Sequence, residues 1–63
     1  KMKLGELLSY HKPCNKEEVI EIYQVENFDK PIEILTATQK SKYNNCNIDR
    51  FYVLDGKICV LIY

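Results

Sequence analysis

The chain has 63 residues, and its nine basic and nine acidic side chains cancel to a formal net charge of zero at pH 7. This length makes one small domain, 1–63, and folding at this size buries only ~60% of the surface that the unfolded chain exposes. The balanced charge argues against a basic nucleic-acid stripe and against the strongly basic face of an amphipathic membrane binder. Since small cores seldom supply more than ~3–5 kcal/mol, we expect a further source of stability such as association.

The cysteine count and the absence of targeting signals favour a reducing compartment. Three cysteines are an odd number, whereas a secreted disulfide scaffold usually carries an even set. The sequence shows neither a signal-peptide core nor an apolar stretch near ~20 residues, so we expect a soluble protein of a bacterial cytoplasm. Met2 is the expected initiator, which makes Lys1 an expected cloning remnant.

The first predicted element is a short N-terminal helix. Leu4, Leu7 and Leu8 have helical spacing and form one apolar stripe. Pro13 disfavours helical geometry at the residue before it, so the helix should end by about Tyr10 or His11.

The segment Val19–Val25 allows two interpretations. Asn15 followed by Glu18 has the pattern of a capping box that opens a helix. The segment is nevertheless dense in β-branched and aromatic residues, which favours a strand with Ile20 and Ile22 on one face. Turn-forming residues at 27–31 then lead into a second strand at 32–35, so the two strands are predicted to form a hairpin.

The stretch from Thr36 to Asn47 is polar, and Tyr43 is its only large apolar body. Thr36 or Thr38 could cap a short helix through Gln39 to Tyr43. We therefore predict one helical turn followed by a loop.

The chain ends in a second predicted hairpin around Asp55-Gly56, a dipeptide that suits the positive φ angles of a type I′ turn. A two-residue loop fixes the register, pairing Leu54 with Lys57 and Phe51 with Val60. One face of this hairpin is expected to join the core, and it carries Phe51, Val53, Ile58, Val60 and Ile62 with Asp49 at its end. The predicted fold class is α+β: the helix packs on a small antiparallel sheet of two hairpins, about four strands, with a short helical turn between them.

The other face of the terminal hairpin is too apolar for an ordinary solvent face. The leucine stripe of the helix can cover one face of a four-stranded sheet and hardly two, and soluble monomers seldom leave large apolar patches in water. We therefore predict self-association, as a homodimer or higher oligomer, through Ile48, Arg50, Tyr52, Leu54, Leu61 and Tyr63. The alternative, weighted about equally, is that the tyrosines lie flat on the sheet and cover it themselves.

Candidate catalytic and metal-binding groups are sparse. His11, Cys14, Cys46 and Cys59 could supply four zinc ligands, but structural zinc sites normally show two closely spaced pairs and the second pair here is widely spaced. No sequence motif surrounds the cysteines or the histidine, and a chain this short has little volume for a cleft that excludes water. We predict no enzymatic activity, no catalytic residues, no metal and no cofactor.

The combination of Leu4-x-x-Leu-Leu-Ser-Tyr, Val19-Ile-Glu-Ile-Tyr, Ile32-Glu-Ile and the ending Ile58-Cys-Val-Leu-Ile-Tyr resembles short uncharacterised proteins of phages and mobile elements of low-GC Gram-positive bacteria. The resemblance implies a phage or prophage accessory protein that binds a host protein, for example an inhibitor of bacterial immunity. It implies no particular site residues.

A second hypothesis is a small protein that binds single-stranded nucleic acid. It would use Lys40, Lys42, Arg50 and Lys57, with Tyr43 or Tyr52 stacking on bases. It requires these cations to cluster in space.

Overall fold

One short helix lies on one face of a four-stranded sheet in the computed structural model of the chain, which describes residues 1–12, 17–36 and 39–63. The elements are helix α1 (Leu4–Tyr10) and strands β1 (Val19–Gln24), β2 (Glu33–Thr36), β3 (Ile48–Leu54) and β4 (Lys57–Ile62). The predicted α+β class is confirmed, and so is the strand interpretation of Val19–Val25. Asn15, the proposed helix cap, lies outside the described residues.

The two predicted hairpins are present, but the prediction of a wholly antiparallel sheet is wrong. The strand order is β2-β1-β4-β3, with β1 antiparallel to β2 and β3 antiparallel to β4. The first and last strands, β1 and β4, pair in parallel at the centre of the sheet, with Ile22 opposite Val60. The sheet is therefore mixed, and β2 and β3 form its two edges.

The parallel central pair requires a long return connection from β2 to β3. These two strands run in the same direction, so the chain must return along the sheet between them, as in other crossovers between parallel strands. In the described part, residues 39–47, a turn closed by Cys46 N–H donating to the Tyr43 carbonyl at 3.0 Å replaces the predicted helical turn. Thr36 does meet Gln39, since its N–H donates to Gln39 Oε1 at 2.7 Å, while Thr38 lies outside the described residues.

The connection between β2 and β3 also forms backbone hydrogen bonds with the first turn of α1. The N–H groups of Leu4 and Gly5 donate to the carbonyls of Cys46 (2.9 Å) and Asn44 (3.0 Å), which satisfies two donors that a helix start leaves without intrahelical partners. Glu6 Oε1 accepts a hydrogen bond from the Lys3 N–H at 3.2 Å. The helix ends at Tyr10, as predicted.

The core lies between α1 and the central strands. Its buried members come from the helix and from β1, β2 and β4, and half-buried Leu7, Leu8 and Tyr43 pack against them. The buried cluster is Leu4, Ile20, Ile22, Leu35, Val60 and Ile62. No residue of the edge strand β3 belongs to this buried cluster.

The terminal hairpin has the predicted turn and register. Asp55 and Gly56 both adopt positive φ angles, of 52° and 75°, and Phe51 pairs with Val60 and Leu54 with Lys57. The register shifts between Ile48 and Arg50, where Asp49 forms a bulge. As a bulge adds one residue to one strand, Ile48 pairs with Ile62 and packs against the core, so the prediction that Ile48 lies on the outer face is wrong.

Candidate functional site: the open edge of strand β3

The residues predicted to form the interface lie in three different environments. Tyr52, Leu54, Tyr63 and Arg50 are exposed, as that prediction required. Leu61 is only 1% exposed, although it lies on the face opposite the helix. Ile48 contacts the core. Only four of the six predicted interface residues are therefore exposed and available for binding.

The centre of the outer face is covered by the chain itself. Leu61 lies between Tyr23 of β1 and Arg50 of β3, and Cys59 lies between Glu21 and Tyr52. Burial raises the pKa of the Cys59 thiol, and the nearby Lys57 charge and a hydrogen bond with Tyr52 partly offset this effect. Leu61 and Cys59 are thus buried on this face, whereas Tyr52 on the neighbouring edge strand is exposed.

The Tyr23 hydroxyl is fixed across this face. It donates to Glu21 Oε1 at 2.9 Å, and this hydrogen bond to a carboxylate is the main reason that the pKa of Tyr23 rises to about 12. Glu21 Oε2 also accepts from Lys57 Nζ at 3.5 Å. The side chains of Tyr23 and Lys57 are therefore both tied to Glu21 of the central strand β1.

Strand β3 exposes four consecutive apolar or aromatic side chains. Phe51 is 56% exposed, Tyr52 40%, Val53 71% and Leu54 56%. Phe51 and Val53 are on the helix side, where the sequence assigned them to the core, and that assignment is wrong. The reason is that the seven-residue helix packs on β1, β2 and β4, while β3 lies at the edge beyond them.

The backbone of β3 is also open over part of its length. In a hairpin with a two-residue turn, Leu54 and Tyr52 direct their N–H and C=O groups toward β4, so those of Phe51 and Val53 point to the outside. Among the strands that the structure describes, β3 has β4 as its only neighbour. The open edge is defined here as residues 50–54, with its outward backbone groups on Phe51 and Val53.

Both ends of the open edge are bounded. At the first end the Ile48 N–H donates to the Met2 carbonyl at 2.9 Å, and Lys3 forms a bridge with Asn47, so the N-terminal segment lies along the strand there. At the other end the turn at Asp55 and Gly56 begins. Natural edge strands are usually protected by charge, proline or strong bulging. Residues 51–54 carry none of these.

The cations proposed for nucleic-acid binding do not form one cluster. Arg50 Nε contacts Asp49 Oδ2 at 3.0 Å, and Lys57 contacts Glu21, so each of these two charges has an acidic partner. Lys40 lies in the connection on the helix side, and Lys42 Nζ is 5.6 Å from the ring centre of its neighbour Tyr43.

Three of the four side chains considered as zinc ligands lie in the described part of the chain, where no group of three or more His, Cys, Asp or Glu side chains could hold a metal ion. His11 Nε2 contacts the Glu18 carboxylate. Cys46 packs toward the helix-side core and Cys59 lies on the opposite face. Cys14 is outside the described residues.

A groove of about 360 Å³ is open between part of α1 and part of the connection. It is lined by Gly5, Leu8, Ser9, Gln39, Lys40, Ser41 and Asn44. The Ser41 hydroxyl donates to the Glu33 carboxylate and accepts from the Tyr43 N–H at 2.9 Å, so it ties the connection to β2.

Comparison of the chain with protein-family models, with curated proteins and with solved structures finds no match. Among the described residues, no helix is long and apolar enough to cross a membrane.

Proposed function

We propose that this chain is a non-catalytic protein-binding module and that the open edge of β3 is its contact surface. The observation that carries the proposal is the run of four exposed apolar side chains, Phe51 to Leu54, on a strand with one open side. Protein partners use such edges by adding a strand: backbone hydrogen bonds give affinity and alternate side chains give specificity.

The distribution of the exposed side chains supports a partner that approaches edge-on. Phe51 and Val53 lie on the helix side of the sheet, while Tyr52 and Leu54 lie on the other. A helix laid on one face would cover only one of these pairs. An added strand continues both faces and covers part of each pair.

Burial of these side chains would supply a substantial driving force. Full burial of a Leu, Val or Phe side chain gains roughly 1.5–3 kcal/mol over full exposure, so a half-exposed side chain has about half of that left to gain. Each hydrogen bond to the outward groups of Phe51 and Val53 would add a net ~0.5–1.5 kcal/mol.

The resemblance to accessory proteins of phages and mobile elements suggests a host protein as one target of this module, with inhibition of bacterial immunity as one such role. The proposal concerns the binding surface and holds for any protein partner. Nucleic-acid binding is the weaker alternative, because Arg50 and Lys57 already have acidic partners.

The test compares two lysine substitutions on opposite edges of the sheet. Val53→Lys places a charge on the open edge, and Ile34→Lys places the same charge at an exposed position of β2. Proteins captured from a lysate of a low-GC Gram-positive bacterium would be identified by mass spectrometry, purified, and titrated against both variants and the native chain.

We expect at least one purified protein to bind the native chain and Ile34→Lys equally and to bind Val53→Lys at least tenfold more weakly. Equal binding to all three chains would refute the β3 edge as the contact surface. The absence of any binding partner would refute it too if the native chain also fails to associate with itself. Salt-sensitive binding of a single-stranded oligonucleotide by the native chain would favour the nucleic-acid alternative.

A further inference from the structure

We infer that the open edge of β3 is closed by a second copy of this chain, with the two β3 strands antiparallel about a two-fold axis beside Tyr52. This inference rests on the proposed function and names one partner for the same surface. The product is a continuous eight-stranded sheet with one four-stranded half from each copy.

The backbone geometry selects this register. Antiparallel strands exchange hydrogen bonds between residues whose N–H and C=O groups face each other. With the axis beside Tyr52, Phe51 of each copy faces Val53 of the other, so both outward residues of both copies are paired. Four hydrogen bonds then form between the two chains.

Neighbouring registers use the edge less well. An axis beside Phe51 places Val53 opposite the bulge at Asp49 and brings Leu54 against Ile48, where the N-terminal segment already occupies the edge. An axis beside Val53 places Phe51 opposite the turn residue Asp55. Among these registers, only the axis beside Tyr52 keeps both complete pairs within the open edge.

The side chains are self-complementary in this register. On the helix side, Phe51 lies opposite Val53 of the second copy on each side of the axis, which is a favourable pairing of an aromatic with a β-branched side chain. On the outer face, Tyr52 lies opposite its own copy and Arg50 lies beside Leu54. No two like charges oppose each other between residues 50 and 54, and Asp49 already balances Arg50.

A second copy is preferred to a strand of another protein because the outward backbone groups of Phe51 and Val53 in one copy pair with those of Val53 and Phe51 in the other. Two-fold contacts use one patch twice, so the patch must be complementary to itself. The open edge of β3 satisfies this requirement in hydrogen bonding, in side-chain shape and in charge.

The first experiment measures mass and dissociation constant of the full chain by sedimentation at micromolar concentrations. Val53→Pro removes an outward N–H and leaves the hydrogen bonds between β3 and β4 in place, since that N–H does not face β4. Two hydrogen bonds are lost per dimer, so the dissociation constant should rise roughly tenfold to hundredfold. Val53→Thr, which keeps the N–H and the branched shape, is the matched control, and circular dichroism checks the fold of both.

The second experiment tests the register with a disulfide. A pair of residues facing each other without mutual hydrogen bonds has Cα atoms ~4.5 Å apart, which a disulfide can bridge. Under mild oxidation Tyr52→Cys should therefore give at least tenfold more covalent dimer than Leu54→Cys. Because Tyr52 pairs with Cys59 of its own chain, both variants also carry Cys59→Ala, which prevents a disulfide within the chain. The Cys59→Ala chain is the baseline for the remaining cysteines.

A native chain that sediments as a monomer, or equal cross-linking at positions 52 and 54, would overturn the inference. A monomer that still binds another protein in a manner abolished by Val53→Lys would refute self-pairing alone. A monomer with no such binding would refute both this inference and the proposed function.

Discussion

Replacing Gly5 with alanine tests how closely α1 lies on the connection between β2 and β3. A Cβ atom at Gly5 would be 3.0 Å from Asn44 Cβ and 3.2 Å from the Asn44 carbonyl oxygen. The hydrogen bond from the Gly5 N–H to that same oxygen, at 3.0 Å, holds the two backbones together, so neither can withdraw freely. The new methyl group would have to displace the connection.

Two opposing effects set the size of the change. Alanine in a helix is favoured over glycine by ~0.5–1 kcal/mol, whereas overpacking typically costs ~1–3 kcal/mol. The steric effect should win here because the contacted atoms belong to or adjoin the backbone. We expect Gly5→Ala to lower the free energy of unfolding by about 1–2 kcal/mol, which for a domain of this size lowers Tm by roughly 4–16 °C.

The assay is thermal and urea denaturation followed by circular dichroism. Ser9→Ala, at an exposed position of the same helix, is the matched control and should change stability by less than about 0.5 kcal/mol. If Gly5→Ala is as stable as the native chain or more stable, the close approach of helix and connection does not constrain this position and the reasoning is refuted.

Three further predictions concern the sheet. Spectrophotometric titration should show Tyr23 ionising near pH 12, and Glu21→Gln should lower this pKa. Because the native pKa lies above the ordinary value of 10.0, the stability that the Tyr23–Glu21 hydrogen bond contributes is present below pH 10 and is lost as pH rises through about 12. An ordinary Tyr23 pKa would contradict this prediction. The Cys59 thiol should react with a thiol reagent much more slowly in the native chain than in urea, because burial raises its pKa and blocks access; equal rates would contradict its burial. Ile22→Ala should cost ~2–5 kcal/mol, whereas Ile34→Ala at an exposed position should cost well under half as much in the same denaturation assay. Similar losses would contradict the location of the core.

The local structure follows from short sequence signals. The Asp55-Gly56 turn fixes the register of the terminal hairpin, and the leucine spacing together with Pro13 places the helix and its end. These features depend on neighbouring residues only, so a single sequence contains the information for them.

The features that were missed depend on contacts distant in sequence. The parallel pairing of β1 with β4 joins strands that are far apart in sequence, and the polar composition between β2 and β3 does not indicate that the chain returns along the sheet there. The alternation of apolar residues predicted that Phe51 and Val53 are buried, but β3 is an edge strand and the helix does not cover them. The bulge at Asp49, which turns Ile48 inward, has no glycine to signal it.

The same sheet order that opens β3 also limits how far association can proceed. After two β3 edges pair, the remaining edges of the eight-stranded sheet are the β2 strands, which are only four residues long. Glu33 of β2 is engaged by the connection, since its carboxylate accepts hydrogen bonds from Ser41 and from the Lys42 N–H at 3.2 Å. Short edges with charged residues pair poorly with further strands. A two-fold contact through β3 should therefore close at the dimer and not propagate into a fibre.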